Sequence, residues 1–160
     1  MKNVLFAALA TGLLASAASV QAHDEDMEPM RDFDGIYGGS YVCKDGEHGF
    51  YLDLLVVRET EEGFDVAGTL GLFPTLAGAE GSSADATGSF AVTGTISGMD
   101  YTINLSPGEW KLKPDFYGAA GLVGTLEPAG DHSWQITGKP VVPGQPDFCS
   151  DLIATQFLPE

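Results

Sequence analysis

The chain has 160 residues, of which 44% are hydrophobic, and its 23 Asp and Glu against seven Lys and Arg give a net charge of −16. This length and apolar content suit one globular domain with its own core. The charge repels nucleic-acid phosphates and anionic lipid headgroups, so neither is an expected partner, whereas a cationic partner is compatible with it.

The N-terminus has the three parts of a secretory signal. Lys2 is a single cation, and residues 4–20 form an apolar run without charges. Val20 and Ala22 are residue types that suit cleavage after Ala22. The run has only 17 residues and no charged flank on its far side, so a membrane-spanning helix is the weaker interpretation, and no cysteine for lipid attachment lies near the cut. We therefore expect residues 1–22 to be a signal peptide, the mature protein to be periplasmic or extracellular, and no membrane span to remain after cleavage.

Residues 23–34 are strongly charged and have little apolar content, which is typical of an acidic flexible arm. Cleavage makes His23 the N-terminus, where its α-amine and imidazole could chelate copper if His48 or His132 approached. A solvated terminal histidine among acids is the simpler interpretation, and the acids lack the spacing of a calcium loop. No metal or cofactor is therefore predicted.

From residue 35 onward, apolar and polar residues alternate in eight short runs separated by Gly, Pro, Asp and Ser. The runs are 36–43, 49–59, 64–73, 89–97, 101–105, 121–127, 133–138 and 151–157. They predict an all-β domain over residues 35–160, a single antiparallel meander of about eight strands. Glycines inside the runs (Gly68, Gly94, Gly124 and Gly138) favour a closed up-and-down, calycin-like barrel, with a β-sandwich as the alternative.

The alternation indicates which faces are buried. In the fourth run Phe90, Val92 and Ile96 share one face, which predicts a sheet with one buried face and one solvent-exposed face. The second run is apolar on both faces, so we expect it to be covered on both sides. Asp53 interrupts that run and is either an outward-facing residue or a buried carboxylate, and only a buried one would suit a hydrolase.

The chain has two cysteines, Cys43 and Cys149. An even number of cysteines in an exported chain predicts a disulfide, here one that ties the first predicted strand to the last. Closing so long a loop stabilises the fold by about 4–5 kcal/mol in the chain-entropy description.

Three long connections join the predicted strands: residues 74–88 are small and flexible, 110–120 are aromatic, and 139–148 are proline-rich. Long loops on a rigid sheet commonly carry binding sites. The candidate binding residues are those of the aromatic connection, Trp110, Lys111, Lys113, Phe116 and Tyr117. Aromatic rings beside cations suit a sugar ring, an anionic small molecule or a protein partner. The alternative is that the aromatic rings plug a barrel end and the lysines are only solvated.

Short motifs follow one another in the order known from a poorly characterised bacterial secreted β-domain. They are the opening GIYGGSYVC at 35–43, GSF at 88–90, a W-x-x-x-P-x-x-Y turn at 110–117, GLVG at 121–124 and the closing Cys149. The chain resembles that domain over most of residues 35–160, apart from the doubled glycine at 38–39. The resemblance implies a secreted β-domain and brings no established activity.

Residues 41–46 (YVCKDG) are similar to the Y-x-C-x-x-G opening of periplasmic inhibitors of C-type lysozymes. Those proteins are small barrels with a disulfide that reaches a cysteine near the end. Their Ser-Gly-x-x-Tyr inhibitory loop has no clear match in this chain, so the resemblance does not carry over the inhibitory mechanism.

No catalytic signature accompanies the predicted fold. The chain lacks a G-x-S-x-G motif, and its three histidines lie in the arm or in turn-like regions. We therefore predict a monomeric, non-enzymatic secreted domain that recognises an unknown protein or small molecule through loops at one barrel end. The alternatives are an inhibitor of a cationic hydrolase such as lysozyme, and a hydrolase that uses buried carboxylates near Asp53.

Overall fold

Eight β-strands form the fold in the computed structural model, which describes residues 33–75, 87–115, 118–130 and 132–157. They are β1 (Gly35–Cys43), β2 (Gly46–Thr60), β3 (Gly63–Pro74), β4 (Gly88–Ser97), β5 (Thr102–Leu112), β6 (Gly121–Gly130), β7 (Ser133–Val141) and β8 (Cys149–Phe157). Each strand pairs antiparallel with the next, and β8 pairs with β1, so the sheet closes into a barrel. The predicted closed meander is confirmed, and the sandwich alternative is wrong.

Alternation along β2 shows how the sequence forms the core. Every second residue from His48 to Leu54 faces the barrel interior and is buried, whereas Tyr51 and Leu55 face outward. The expectation that this strand is covered on both sides is wrong, because Leu55 is 55% exposed and Val57 is 62% exposed. The core is therefore the interior of the barrel, built from one face of each strand.

Apolar side chains on the outer face are partly covered by the sheet itself. The ring of Tyr51 lies across Gly71 of the neighbouring strand, where an added Cβ would lie 2.0 Å from its Cε1 atom. Only glycine leaves room for the ring at that position. The ring thereby loses apolar contact with water without a second sheet to cover it.

Inside the barrel, glycine allows neighbouring strands to approach closely. A Cβ added to Gly94 on β4 would lie 1.9 Å from the carbonyl oxygen of Asn104 on β5. A Cβ on the other predicted interior glycines would likewise clash with a backbone oxygen of a neighbouring strand; these are Gly68, Gly124 and Gly138. Such contacts permit the strong curvature that a barrel requires.

β5 is longer than the alternation predicts. The pattern ends at Leu105, but the strand continues to Leu112, with irregular register opposite Phe90. The ladder to β6 stops at Leu105, so the rest of β5 pairs with β4 alone among the strands described. Pro107 has no N–H to donate and is tolerated at such an edge. Trp110 therefore belongs to a strand. The prediction that it lies in the connecting loop 110–120 is wrong.

The seam between β1 and β8 closes the barrel and carries the disulfide. Its ladder runs from Ile36 opposite Phe157 to Cys43 opposite Cys149. The two cysteines are bonded, with Cα atoms 3.9 Å apart and a sequence separation of 106. The predicted bridge is confirmed, and it is compatible with an oxidising compartment.

A meander places alternate connections at opposite ends of the barrel. One end, called the open end below, contains the β1–β2 turn and the β3–β4, β5–β6 and β7–β8 connections. These include all three long connections predicted from the sequence. The opposite end, called the plugged end below, contains the other three connections, the beginning of β1 and the end of β8. In the part of the chain that the structure describes, no helix is long and apolar enough to cross a bilayer.

Candidate functional site

A cavity of about 210 Å³ lies inside the barrel at the open end. Its wall consists mainly of apolar side chains from the inward rows of the strands. The lining side chains that carry rings are Tyr41, His48, Phe50, Phe90 and Phe148, together with Pro140. An apolar cavity of about 150 Å³ accepts benzene in other proteins, so this volume suits a molecule with one ring and a short substituent.

His48 is the polar side chain set into this wall. It is 7% exposed, and only Gln156 is a comparably buried polar side chain among the residues described. The imidazole stacks on the ring of Tyr41, with 5.3 Å between ring centroids and 20° between ring planes. Its Nε2 lies 3.0 Å from Oδ1 of Asp45. An ionised carboxylate only accepts hydrogen bonds, so the imidazole donates through Nε2–H when Asp45 carries its charge.

The tight turn between β1 and β2 places Asp45 at the cavity rim. Cys43 pairs with Gly46, which leaves Lys44 and Asp45 as the two turn residues. Gly46 has a φ of 131°, a conformation that side chains with a Cβ rarely adopt. The backbone N–H of Lys44 donates to the carbonyl of Phe148 at 3.0 Å and ties the turn to the β7–β8 connection. The Asp45 side chain is 44% exposed, so a carboxylate stands between the cavity and solvent.

Three potential metal-ligand atoms meet at this rim, from Cys43, Asp45 and His48, all within 4.8 Å of one another. The Sγ atom of Cys43 is bonded to Cys149 and is therefore not a thiolate ligand. The remaining carboxylate and imidazole are fewer than the three or four protein ligands of a zinc site. Their direct contact is better explained as a hydrogen-bonded pair.

The opposite end of the barrel is filled by an aromatic plug, formed by Phe33, Phe64, Tyr101 and Trp134. Phe33 is fully buried, and its ring centroid lies 4.8 Å from that of Trp134 and 5.3 Å from that of Phe64. Tyr101 adopts a φ of 53° and completes the plug, 5.8 Å from Phe33. The filled end and the cavity thus divide the barrel interior between them.

Hydrogen bonds fix the short segment that carries Phe33. The hydroxyl of Tyr37 donates to the Phe33 carbonyl at 3.0 Å. Gln156 donates through Nε2 to the Asp34 carbonyl at 2.7 Å and accepts from the backbone N–H of Trp134 at 3.0 Å. The buried Gln156 amide therefore joins the start of β7 to the residues that precede β1.

These contacts change the expected extent of the N-terminal arm. The sequence placed residues 23–34 in one flexible segment, but Phe33 and Asp34 belong to the barrel. Residues 23–32 lie outside the described residues, as does the predicted signal peptide of residues 1–22.

Trp110, the first candidate binding residue, packs against the core. Its half-buried ring meets the ring of Phe90 edge-to-face, with centroids 5.0 Å apart. Phe90 is a wall residue of the cavity, so Trp110 supports that wall from β5. Trp110 thus packs beside the cavity without lining it, and its role in binding stays a prediction.

Of the other candidates from the same segment, the structure describes the two lysines. Lys111 lies on the outer face, where its ammonium donates to the hydroxyl of Thr69. Lys113 is exposed just beyond β5. Phe116 and Tyr117 lie outside the described residues, so the five-residue binding site stays a prediction.

Further candidate residues lie away from the cavity. Asp53 faces outward from β2 and is exposed, so the outward-facing alternative is correct and the buried one is wrong. His132 is exposed in a turn at the plugged end, whereas His48 lies at the open end, so these two histidines do not share one site. His23, the proposed copper ligand, lies outside the described residues.

Asp45 and His48 were not among the binding residues predicted from the sequence. Glycines and acids surround His48 in the sequence, and that pattern predicted a turn-like region. The two-residue alternation of the strand could have predicted its burial, because His48 lies on the same inward face as Phe50 and Leu52. A polar residue in such a row is either a hydrogen-bonded core residue or part of a site.

No family model matches the chain, and no curated protein matches it. The function of the cavity is therefore inferred from its own geometry and chemistry.

Proposed function

We propose that this protein is a non-enzymatic, exported binding domain that holds a small molecule in the cavity at the open end. The observation that carries this proposal is the cavity of about 210 Å³, with apolar and aromatic walls and one buried histidine. Small-molecule sites are usually concave and mostly apolar, with a few placed polar groups that orient the ligand. An eight-stranded barrel has an interior wide enough for one small ligand.

The unequal ends of the barrel support this function. The aromatic plug and its buried hydrogen bonds fill the barrel interior at one end and stabilise it. At the other end the β1–β2 turn is held to the β7–β8 connection by the disulfide and by the Lys44–Phe148 hydrogen bond. A rim restrained in this way keeps the cavity preformed, which lowers the entropic cost of binding. The signal-like N-terminus and the disulfide support a periplasmic or extracellular location.

Filling the cavity tests the proposal. Leu72 lines the cavity from β3 and is 9% exposed, so Leu72→Trp should place an indole ring in the cavity and abolish uptake of a neutral probe such as 2-phenylethanol. Leu55→Trp is the matched control, because it makes the same chemical change on the exposed outer face. Binding is measured by calorimetry and by ligand-observed NMR, and melting temperature reports whether each variant is folded.

The expected result is binding to the wild type and to Leu55→Trp, and none to Leu72→Trp. Equal binding by both variants would place the probe elsewhere on the surface and refute a cavity site. Absence of binding to the wild type by every one-ring probe tested, neutral or charged, would refute the proposed function.

Inhibition of a cationic hydrolase such as lysozyme is the second candidate. Its support is the net charge of −16 and the YVCKDG opening, which forms the end of β1 and its turn. An acidic protein and a cationic enzyme attract each other at low ionic strength, and salt weakens that attraction. Lysozyme activity measured with the purified protein at low and at moderate salt tests this candidate, and unchanged hydrolysis in both conditions ends it.

A further inference from the structure

The charges around the cavity narrow the class of ligand. Asp45 is the one carboxylate among the described lining residues, and no Lys or Arg lines the cavity there. Lys44 shares the turn with Asp45 but is exposed and is not part of the lining. A ligand carboxylate would bring a second negative charge to Asp45, whereas a ligand ammonium would gain a charge-assisted hydrogen bond.

The aromatic lining favours the same sign of charge. Tyr41, Phe50 and Phe90 line the cavity, and the negative face of an aromatic ring attracts a cation. The net charge of −16 also raises the local concentration of cations and lowers that of anions. Local and long-range electrostatics therefore agree on a positively charged ligand.

We propose that the cavity binds a one-ring aromatic amine, with the ring among Phe50, Phe90 and Tyr41 and the ammonium at the carboxylate of Asp45. The Nε2–H of His48 donates to that carboxylate and orients it toward the cavity, which makes His48 a positioning residue. The volume limits the ligand to about one ring with a two-carbon chain. This inference rests on the proposed function and names its ligand class.

Three probes of nearly equal size separate charge from shape. Phenethylamine, 2-phenylethanol and phenylacetate share one ring and a short chain, and at pH 7 they carry a positive, zero and negative charge. We expect phenethylamine to bind at least about tenfold more tightly than 2-phenylethanol. Phenylacetate should show no measurable binding, because its carboxylate faces Asp45.

A pair of variants separates the local carboxylate from the overall charge. Asp45→Asn removes the charge and keeps an oxygen that accepts the His48 hydrogen bond, so the fold is retained. Asp147→Asn is the matched control: it removes one charge from the β7–β8 connection at the same end, at a side chain that is 89% exposed and outside the lining. Asp45→Asn should abolish the preference for the amine and leave 2-phenylethanol binding unchanged, whereas Asp147→Asn should change neither. Titrations at moderate salt reduce the contribution of the overall charge.

Each outcome is decisive. If 2-phenylethanol binds but phenethylamine binds no better, or phenylacetate binds as well, the ligand class is wrong and the cavity function survives. An equal effect of Asp45→Asn and Asp147→Asn would show that only overall charge matters and would also overturn the assignment. If none of the three probes binds to the wild type, the proposed function itself fails.

Discussion

Removing the disulfide is expected to cost a large part of the stability of this barrel. The proposed perturbation is the double substitution of Cys43→Ala and Cys149→Ala, which leaves no unpaired thiol. The bridge closes a loop with a sequence separation of 106. In the chain-entropy description a loop of that length corresponds to about 5 kcal/mol at 25 °C. Typical domains have only about 5–15 kcal/mol of total stability, so the loss is large on that scale.

The native barrel should still close without the bridge. The β1–β8 ladder continues beyond the cysteines through Ser40 and Gly38 to Ile36, so the folded state retains its seam. The loss then arises mainly in the unfolded chain, which gains freedom when the cross-link is absent. Circular dichroism of the double variant in buffer should therefore match that of the wild type.

Guanidinium denaturation followed by circular dichroism measures the effect. The midpoint of the double variant should fall by about 1 M or more relative to the oxidised wild type, with an equal or steeper slope, because the unfolded chain without the cross-link exposes more surface. The wild type treated with reductant should behave like the variant, and thiol titration confirms that its bridge has opened. Equal midpoints for the oxidised and fully reduced wild type would refute the reasoning.

Two further predictions concern the plugged end. Phe33→Ala should lower the free energy of unfolding by about 3–5 kcal/mol, because a fully buried ring is removed from the aromatic plug; a melting temperature equal to that of Ile36→Ala, at a 49% exposed control position, would contradict this. Hydrogen bonds from Ser97 and Thr102 hold the pKa of Asp100 below its usual 3.8, so its stabilisation is present above that pH and is lost as the pH falls through the folded-state pKa. Asp100→Asn should remove this part of the acid sensitivity, and melting curves against pH that run parallel to the wild type would disprove it.

The fold could be predicted from the sequence because its determinants are local. Period-two alternation in the runs that became β4 and β7 identifies strands and their buried faces directly. The long extension of β5 could not be predicted, because Pro107 and Gly108 normally interrupt a strand. Their tolerance depends on the end of the β6 ladder at Leu105, which is a property of the assembled sheet.

The candidate site was harder to predict because it depends on contacts that are distant in sequence. Asp45 and His48 are neighbours in sequence, but the cavity beside them is formed by strands from the whole chain. Phe33 was likewise hidden among acidic residues, and its burial depends on Phe64 and Trp134. Only the cysteine pair allowed a long-range contact to be predicted from the sequence, because a disulfide needs two cysteines.

The division of the barrel into two ends also separates its optical reporters. The chain has two tryptophans, Trp134 in the aromatic plug and Trp110 against the Phe90 wall of the cavity. The emission of Trp110 is therefore expected to respond to changes at the Phe90 wall of the cavity, and that of Trp134 to release of the segment that carries Phe33. With Trp134→Phe or Trp110→Phe, fluorescence can follow ligand entry and loosening of the plug independently in the same molecule.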